Sequence, residues 1–155
     1  MDVKNVNSFT DVIVNTFETA VNSAPFRTGD FCKEQGPVQN QDDLLCVIRF
    51  SGSLTGAVVM SFPEGTARKV YSALMFEEVS SLTSDVIEAF SEILNMVIGN
   101  VRAALSTQKL NFEQPRVEAE KNTIYANEEN VDWLHIPMAF TDWGKFNLYI
   151  GMKES

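Results

Sequence analysis

Apolar residues recur at every fourth position through Phe9, Ile13, Phe17 and Val21. That is the spacing of a helix with one buried stripe. Ser8 stands before this run as a candidate N-cap, with Asp11 three residues on. From Asn22 to Asp43 the pattern dissolves into polar residues with Pro25, Gly29, Gly36 and Pro37. This is turn chemistry, with room for a short edge strand. Leu44 to Phe50 is a compact apolar run that reads as a strand. Ser51-Gly52-Ser53 is its turn, and Leu54 to Phe62 its hairpin partner. Pro63-Glu64-Gly65-Thr66 opens a helix of about Ala67 to Met75, and a gap of acids and serines runs from Phe76 to Thr83. The strongest helical period follows. From Ser84 to Leu105, apolar residues fall at Val86, Phe90, Ile93, Leu94, Val97, Val101, Ala104 and Leu105, which gather on one side at ~100° per residue. Thr83 or Ser84 can cap this helix, and Asp85 and Glu88 suit its first turns.

The remainder reads as β structure. An extended segment runs from Leu110 to Glu120, with a short strand near Thr123 to Asn127. A final hairpin pairs Trp133 to Phe140 with Phe146 to Met152 across the turn Thr141-Asp142-Trp143-Gly144. Helix, hairpin, two helices, then strands predict an α+β fold of mixed α/β layers, with helices packed on a largely antiparallel sheet. No linker or low-complexity stretch divides the chain, so residues 1–155 are read as a single domain.

Composition narrows the functional classes. Apolar residues make up 45% of the 155, including eleven Phe, enough to fill a core. The formal net charge of −9 sets the chain against phosphate backbones, so nucleic acid is not expected as a partner. There is no polybasic cluster to hold anionic lipid. The charge favours instead a partner whose contacting surface carries Lys or Arg. Cys32 and Cys46 form no close-spaced metal or redox motif. They read as free thiols in a reducing compartment. His135 is the single histidine, and a structural or surface role is expected for it rather than ligation. The N-terminus has no signal pattern, and no apolar run approaches the ~18 residues needed to span a bilayer. A cytoplasmic protein with no membrane insertion is expected.

Candidate chemistry lies on the polar side of the long helix. Glu88, Glu92, Asn95, Gly99 and Arg102 follow one another at spacings of 4, 3, 4 and 3, forming one stripe opposite the apolar face. Glu92 and Asn95, three apart, are neighbours on that stripe. A solvated face is the plain reading of such a stripe. Asn95 and Gly99 break the pattern, because both are poor helix formers and Gly costs about 1 kcal/mol against Ala. Asn100 adds another weak helix former. Local rule-breaking of this kind points towards function.

The run Ser91-Glu92-Ile93-Leu94-Asn95-Met96-Val97-Ile98-Gly99-Asn100-Val101-Arg102 resembles the signature helix of the CheC/CheX/FliY phosphatases, and within them the CheX type. The early helix, the hairpin strand around Gly56, and the Phe112 to Pro115 segment are similar to the family layout. The resemblance implies the CheC/CheX-like fold and a catalytic Glu-x-x-Asn motif, here Glu92 and Asn95. CheC-like members carry the motif twice. The first helix here has no second copy, since Glu18 is followed at the third position by Val21. The resemblance further implies a phosphatase acting on the phospho-aspartate of a CheY-like response regulator in chemotaxis signalling. Asn95 would position the attacking water, and Glu92 would pair with a receiver lysine. No cofactor would be bound by this chain, the Mg2+ belonging to the receiver's acidic pocket. CheX-type members include dimers, so a homodimer is allowed, with the C-terminal hairpin as one possible contact. The alternative is a non-catalytic interaction module of the same fold that binds a signalling or flagellar partner. An unrelated small-ligand α+β domain would need an apolar concave pocket.

Overall fold

A computed structural model of the chain describes residues 2–121 and 123–154. Helix α1 spans Val3–Val21. It begins earlier than the apolar period suggests. The Asp2 carboxylate caps it by accepting from the Lys4 amide at 2.9 Å. Ser8 is therefore not the N-cap but lies inside the helix, its hydroxyl donating to the Lys4 carbonyl oxygen at 3.0 Å. The polar stretch after α1 holds three short strands, β1 (Phe26–Arg27), β2 (Cys32–Glu34) and β3 (Val38–Gln39). The hairpin β4 (Leu44–Gly52) and β5 (Leu54–Phe62) follows, then α2 (Glu64–Met75) and α3 (Ser84–Ala104). The segment expected to extend from Leu110 to Glu120 is two strands, β6 (Leu110–Phe112) and β7 (Arg116–Glu118). Gln114-Pro115 between them interrupts the ladder, since proline has no amide to donate. The chain closes with β8 (Ile124–Tyr125), β9 (Trp133–Phe140) and β10 (Gly144–Glu154).

The main sheet runs β1-β9-β10-β5-β4-β6, with β2 also on β9 and β7 also on β4, and β3 and β8 form a separate ribbon. Every pairing is antiparallel. The fold is thus α+β, as expected. β10 and β5 meet in register, with Val58 opposite Ile150 and Met60 opposite Leu148. Gly56 is required at this seam, because a Cβ there would collide with the Gly151 carbonyl oxygen. The C-terminal hairpin is interior. β10 is bonded on both sides, and the other edge of β9 is taken by β1 and β2. It offers no free edge for a second chain.

Both sheet faces are covered. On the inner face α1, α2 and α3 pack over Cys46, Ile48, Met60, Met138, Leu148 and Ile150. Phenylalanines fill the region beneath α3. The Phe62 ring stacks on Phe146 at 4.7 Å and meets Phe90 edge-on at 5.0 Å. On the outer face a second cluster joins Leu45, Val47, Val59, Trp133 and Tyr149 to Val38, Tyr125 and Val131. Two buried faces explain why β4 reads as an unbroken apolar run and not as an alternation.

Candidate active site

Helix α3 is anchored along one side and open along the other. Thr83 caps it in extended conformation without a side-chain bond, and Asp85 sits in the first turn, where a negative charge is favoured. Val86, Phe90, Ile93, Leu94, Val97, Ile98 and Val101 are buried against the sheet and α1. Ile98 joins the expected set, while Ala104 is exposed. Glu88, Glu92, Asn95, Gly99 and Arg102 are all exposed, so the stripe is real and faces solvent.

The two asparagines of α3 do different work. Asn100 donates to the Thr16 hydroxyl of α1 at 2.8 Å, which gives this weak helix former a structural reason. Asn95 and Glu92 make no hydrogen bond or ion pair to the described residues. Their polar groups are available to a ligand. Gly99 leaves open space, with no atom within 4 Å of where a Cβ would stand. Arg102 lies over the Phe112 ring at 5.2 Å, which holds it down on the helix end. Met96 is 38% exposed beside Asn95.

The structure adds neighbours that the sequence reading missed. A groove of about 270 Å³ between α2 and α3 is lined by Tyr71, Met75, Glu77, Asp85, Glu88, Ala89 and Glu92. Glu92 thus closes one end of an acidic groove. The Tyr71 hydroxyl donates to Glu77, and this bond, aided by burial, pushes the phenol up to about 12. Just beyond α2, Phe76 adopts a left-handed conformation (φ 57°) and is 92% exposed. The signal was there: Met75-Phe76 is an apolar pair outside any helical period, followed at once by two acids.

The groove's carboxylates do not converge as a metal cage. The single group of three or more such donors among the described residues is Cys32, Glu34 and His135, on the sheet's outer face. Lone carboxylate and amide groups on a solvated helix likewise make a poor Mg2+ site. The geometry at Glu92 and Asn95 suits a different task, that of presenting one anionic and one neutral polar group to another surface. Both cysteines are free, Cys32 exposed and Cys46 buried, and burial pushes the Cys46 thiol up. Neither borders the Glu92 groove. No described helix is long and apolar enough to cross a membrane.

Residues 44–139 match the family model described as chemotaxis phosphatase CheX. No curated protein sequence matches the chain. Solved structures share its fold. A CheC-like superfamily protein from Shewanella sp. PV-4 superposes with a TM-score of 0.83 at 21% identity, covering 99% of each chain. A chemotaxis protein CheX from Desulfovibrio desulfuricans gives 0.83 at 20% identity, covering 97% of this chain and 99% of its own. The CheX-CheY-BeF3-Mg2+ complex from Borrelia burgdorferi gives 0.69 at 17% identity, covering 96% of this chain and 97% of its own.

Proposed function

The chain belongs to the CheX family of chemotaxis phosphatases, and on that premise we propose that it hydrolyses the phospho-aspartate of a CheY-like response regulator. The observation that carries the reading is that Glu92 and Asn95 stand side by side, exposed and without a hydrogen-bond or ion-pair partner among the described residues, on a helix anchored along its opposite side. The Borrelia burgdorferi neighbour, solved in complex with CheY, supports a receiver domain as partner.

The reaction asks for little covalent help. A water oxygen attacks phosphorus in line with the scissile P–O bond. That bond breaks, the aspartate leaves as carboxylate, and the water's proton departs with inorganic phosphate and solvent. Positioning and charge stabilisation dominate such transfers. Asn95 supplies positioning. Its side-chain carbonyl accepts from the attacking water, and its amide nitrogen remains free to donate. Being neutral, it adds no repulsion to an anionic phosphoryl group. Glu92 supplies docking through an ion pair with a receiver lysine, which sets Asn95 at the right height. The opening at Gly99 lets the receiver's backbone approach the helix. Mg2+ belongs to the receiver. The protein works in the cytoplasm, where receivers are phosphorylated.

The test is decay of a phosphorylated receiver domain from the same cell, with wild type, Asn95→Ala and Glu92→Ala. Acceleration by wild type, lost in Asn95→Ala with binding retained, supports the reading. Binding without acceleration sinks it and leaves an interaction module.

A further inference from the structure

Away from α3, the outer sheet face gathers three metal-ligating side chains that the sequence keeps far apart. Cys32 and Glu34 alternate with Lys33 on β2 and so point to the same side. His135 lies directly opposite Cys32 in the β2–β9 pairing. One ligand atom from each of the three falls within 4.8 Å of the others.

The histidine is held in the tautomer that ligation needs. Asn147 donates its amide to the Asp42 carboxylate at 3.3 Å. This orients the Asn147 carbonyl oxygen towards His135 Nε2, 2.8 Å away. Nε2 must then carry the hydrogen. His135 Nδ1 is left facing the Glu34 carboxylate at 3.2 Å. Two lone-pair groups at that distance need a cation between them. A proton on the ring would serve that pair, whereas a metal ion could take the neighbouring Cys32 sulfur as well. A metal ion satisfies all three. Tetrahedral zinc, with bonds of about 2.0–2.3 Å, sets its ligand atoms about 3.3–3.8 Å apart. The Glu34–His135 pair, at 3.2 Å, is just short of that spacing, and exposed Cys32 has freedom to close. The Asp42–Asn147–His135 chain is the kind of outer hydrogen bonding that fixes ligand histidines. The ring is further pinned by stacking on Tyr149 at 4.5 Å.

The geometry points to a zinc-type divalent metal site formed by the Cys32 thiolate, a Glu34 oxygen and His135 Nδ1. The fourth position opens to a cleft of about 450 Å³ that His135 and Glu34 border with Asn147 and Tyr149. Binding releases the Cys32 proton to solvent and clasps β2 to β9. This site is independent of the reaction proposed at α3.

The experiment is titration of the full-length, reduced, metal-free chain with Co2+, followed by Zn2+. A near-ultraviolet thiolate-to-cobalt band saturating at one ion per chain, and bleached by Zn2+, is expected. The band disappears in Cys32→Ala, persists in Cys46→Ala, and needs at least tenfold more Co2+ in His135→Gln. Asn147→Ala weakens affinity about tenfold to a hundredfold with the same band. Circular dichroism checks each variant's fold, and Cys32 is exposed, so its replacement leaves the core untouched. Absence of the band in wild type, its survival in Cys32→Ala, or unchanged affinity in His135→Gln overturns the site and leaves a histidine–glutamate ion pair.

Discussion

Asn100 reaches from α3 to the Thr16 hydroxyl of α1 at 2.8 Å, and Thr16 passes its own hydrogen to the Val12 carbonyl oxygen at 2.7 Å. One helix therefore carries an asparagine that joins it to its neighbour and another, Asn95, that makes no hydrogen bond among the described residues. Asn100→Ala removes the link between helices. The lost hydrogen bond is worth about 1 kcal/mol, partly offset by the better helix propensity of Ala. Urea unfolding should show a small net loss, with receiver dephosphorylation within twofold of wild type.

Asn95→Ala should do the opposite. Nothing in the fold depends on its amide, and Ala favours the helix by about 0.5 kcal/mol. Stability should rise slightly while the acceleration of receiver dephosphorylation falls about a hundredfold or more. A loss of stability comparable to that of Asn100→Ala would show that Asn95 is structural.

Gly99 separates space from backbone freedom. Gly99→Ala meets no neighbour and should stabilise the helix by up to about 1 kcal/mol, read as a higher Tm. Gly99→Trp fills the opening. It should raise the KM for phosphorylated receiver more than it lowers kcat, since approach is blocked while Asn95 remains.

Arg49 holds a buried acid. It pairs with Glu129 at 2.6 Å and with Glu128 at 2.9 Å, and the Glu129 side chain is only 3% exposed. The Tyr125 hydroxyl donates to the same Glu129 oxygen at 2.6 Å. Arg49→Met strands that carboxylate and should cost about 3 kcal/mol or more. Adding Glu129→Gln should recover part of the loss. No recovery would mean that Arg49 acts through packing.

All three tyrosines resist ionisation. Tyr71 is pushed up to about 12 by its bond to Glu77, Tyr149 to about 12 by burial beside Glu34, and Tyr125 is raised by burial and Glu129. The folded state thus binds the phenolic proton more tightly than the unfolded chain, whose value is about 10. This stability is fully present below about pH 10 and is lost as pH climbs towards 12. Phenolate absorbance and far-ultraviolet circular dichroism should change together in an alkaline titration. Tyrosines ionising near pH 10 in a still-folded chain would refute it.

The elements visible in the sequence were those with one dominant apolar face or a run buried on both. β5, β9 and the body of α3 lie where the pattern puts them. α1 hides its first turn because Val3 is 70% exposed while Asn5 is buried, the reverse of what polarity suggests. Strands of two or three residues, as in β1 to β3, carry no period to detect. β10 extends beyond its apolar centre because Lys153 and Glu154 still pair with Thr55 and Leu54. At the candidate site, Glu92 and Asn95 were legible because they share one helix. The groove wall from α2 and the Cys32–Glu34–His135 cluster were not, since chain reversal and strand pairing bring those residues together.

Glu92 and Asn95 are three residues apart on an unbroken helix, so their separation is set by helical rise and not by a loop. Selectivity can therefore drift independently of chemistry. Changes at Met75, Phe76 or Glu77, at and just beyond the end of α2, would retune which receiver is accepted while the two polar groups keep their mutual spacing. An engineer seeking to redirect this protein towards a different signalling pathway would leave α3 alone and graft a new rim.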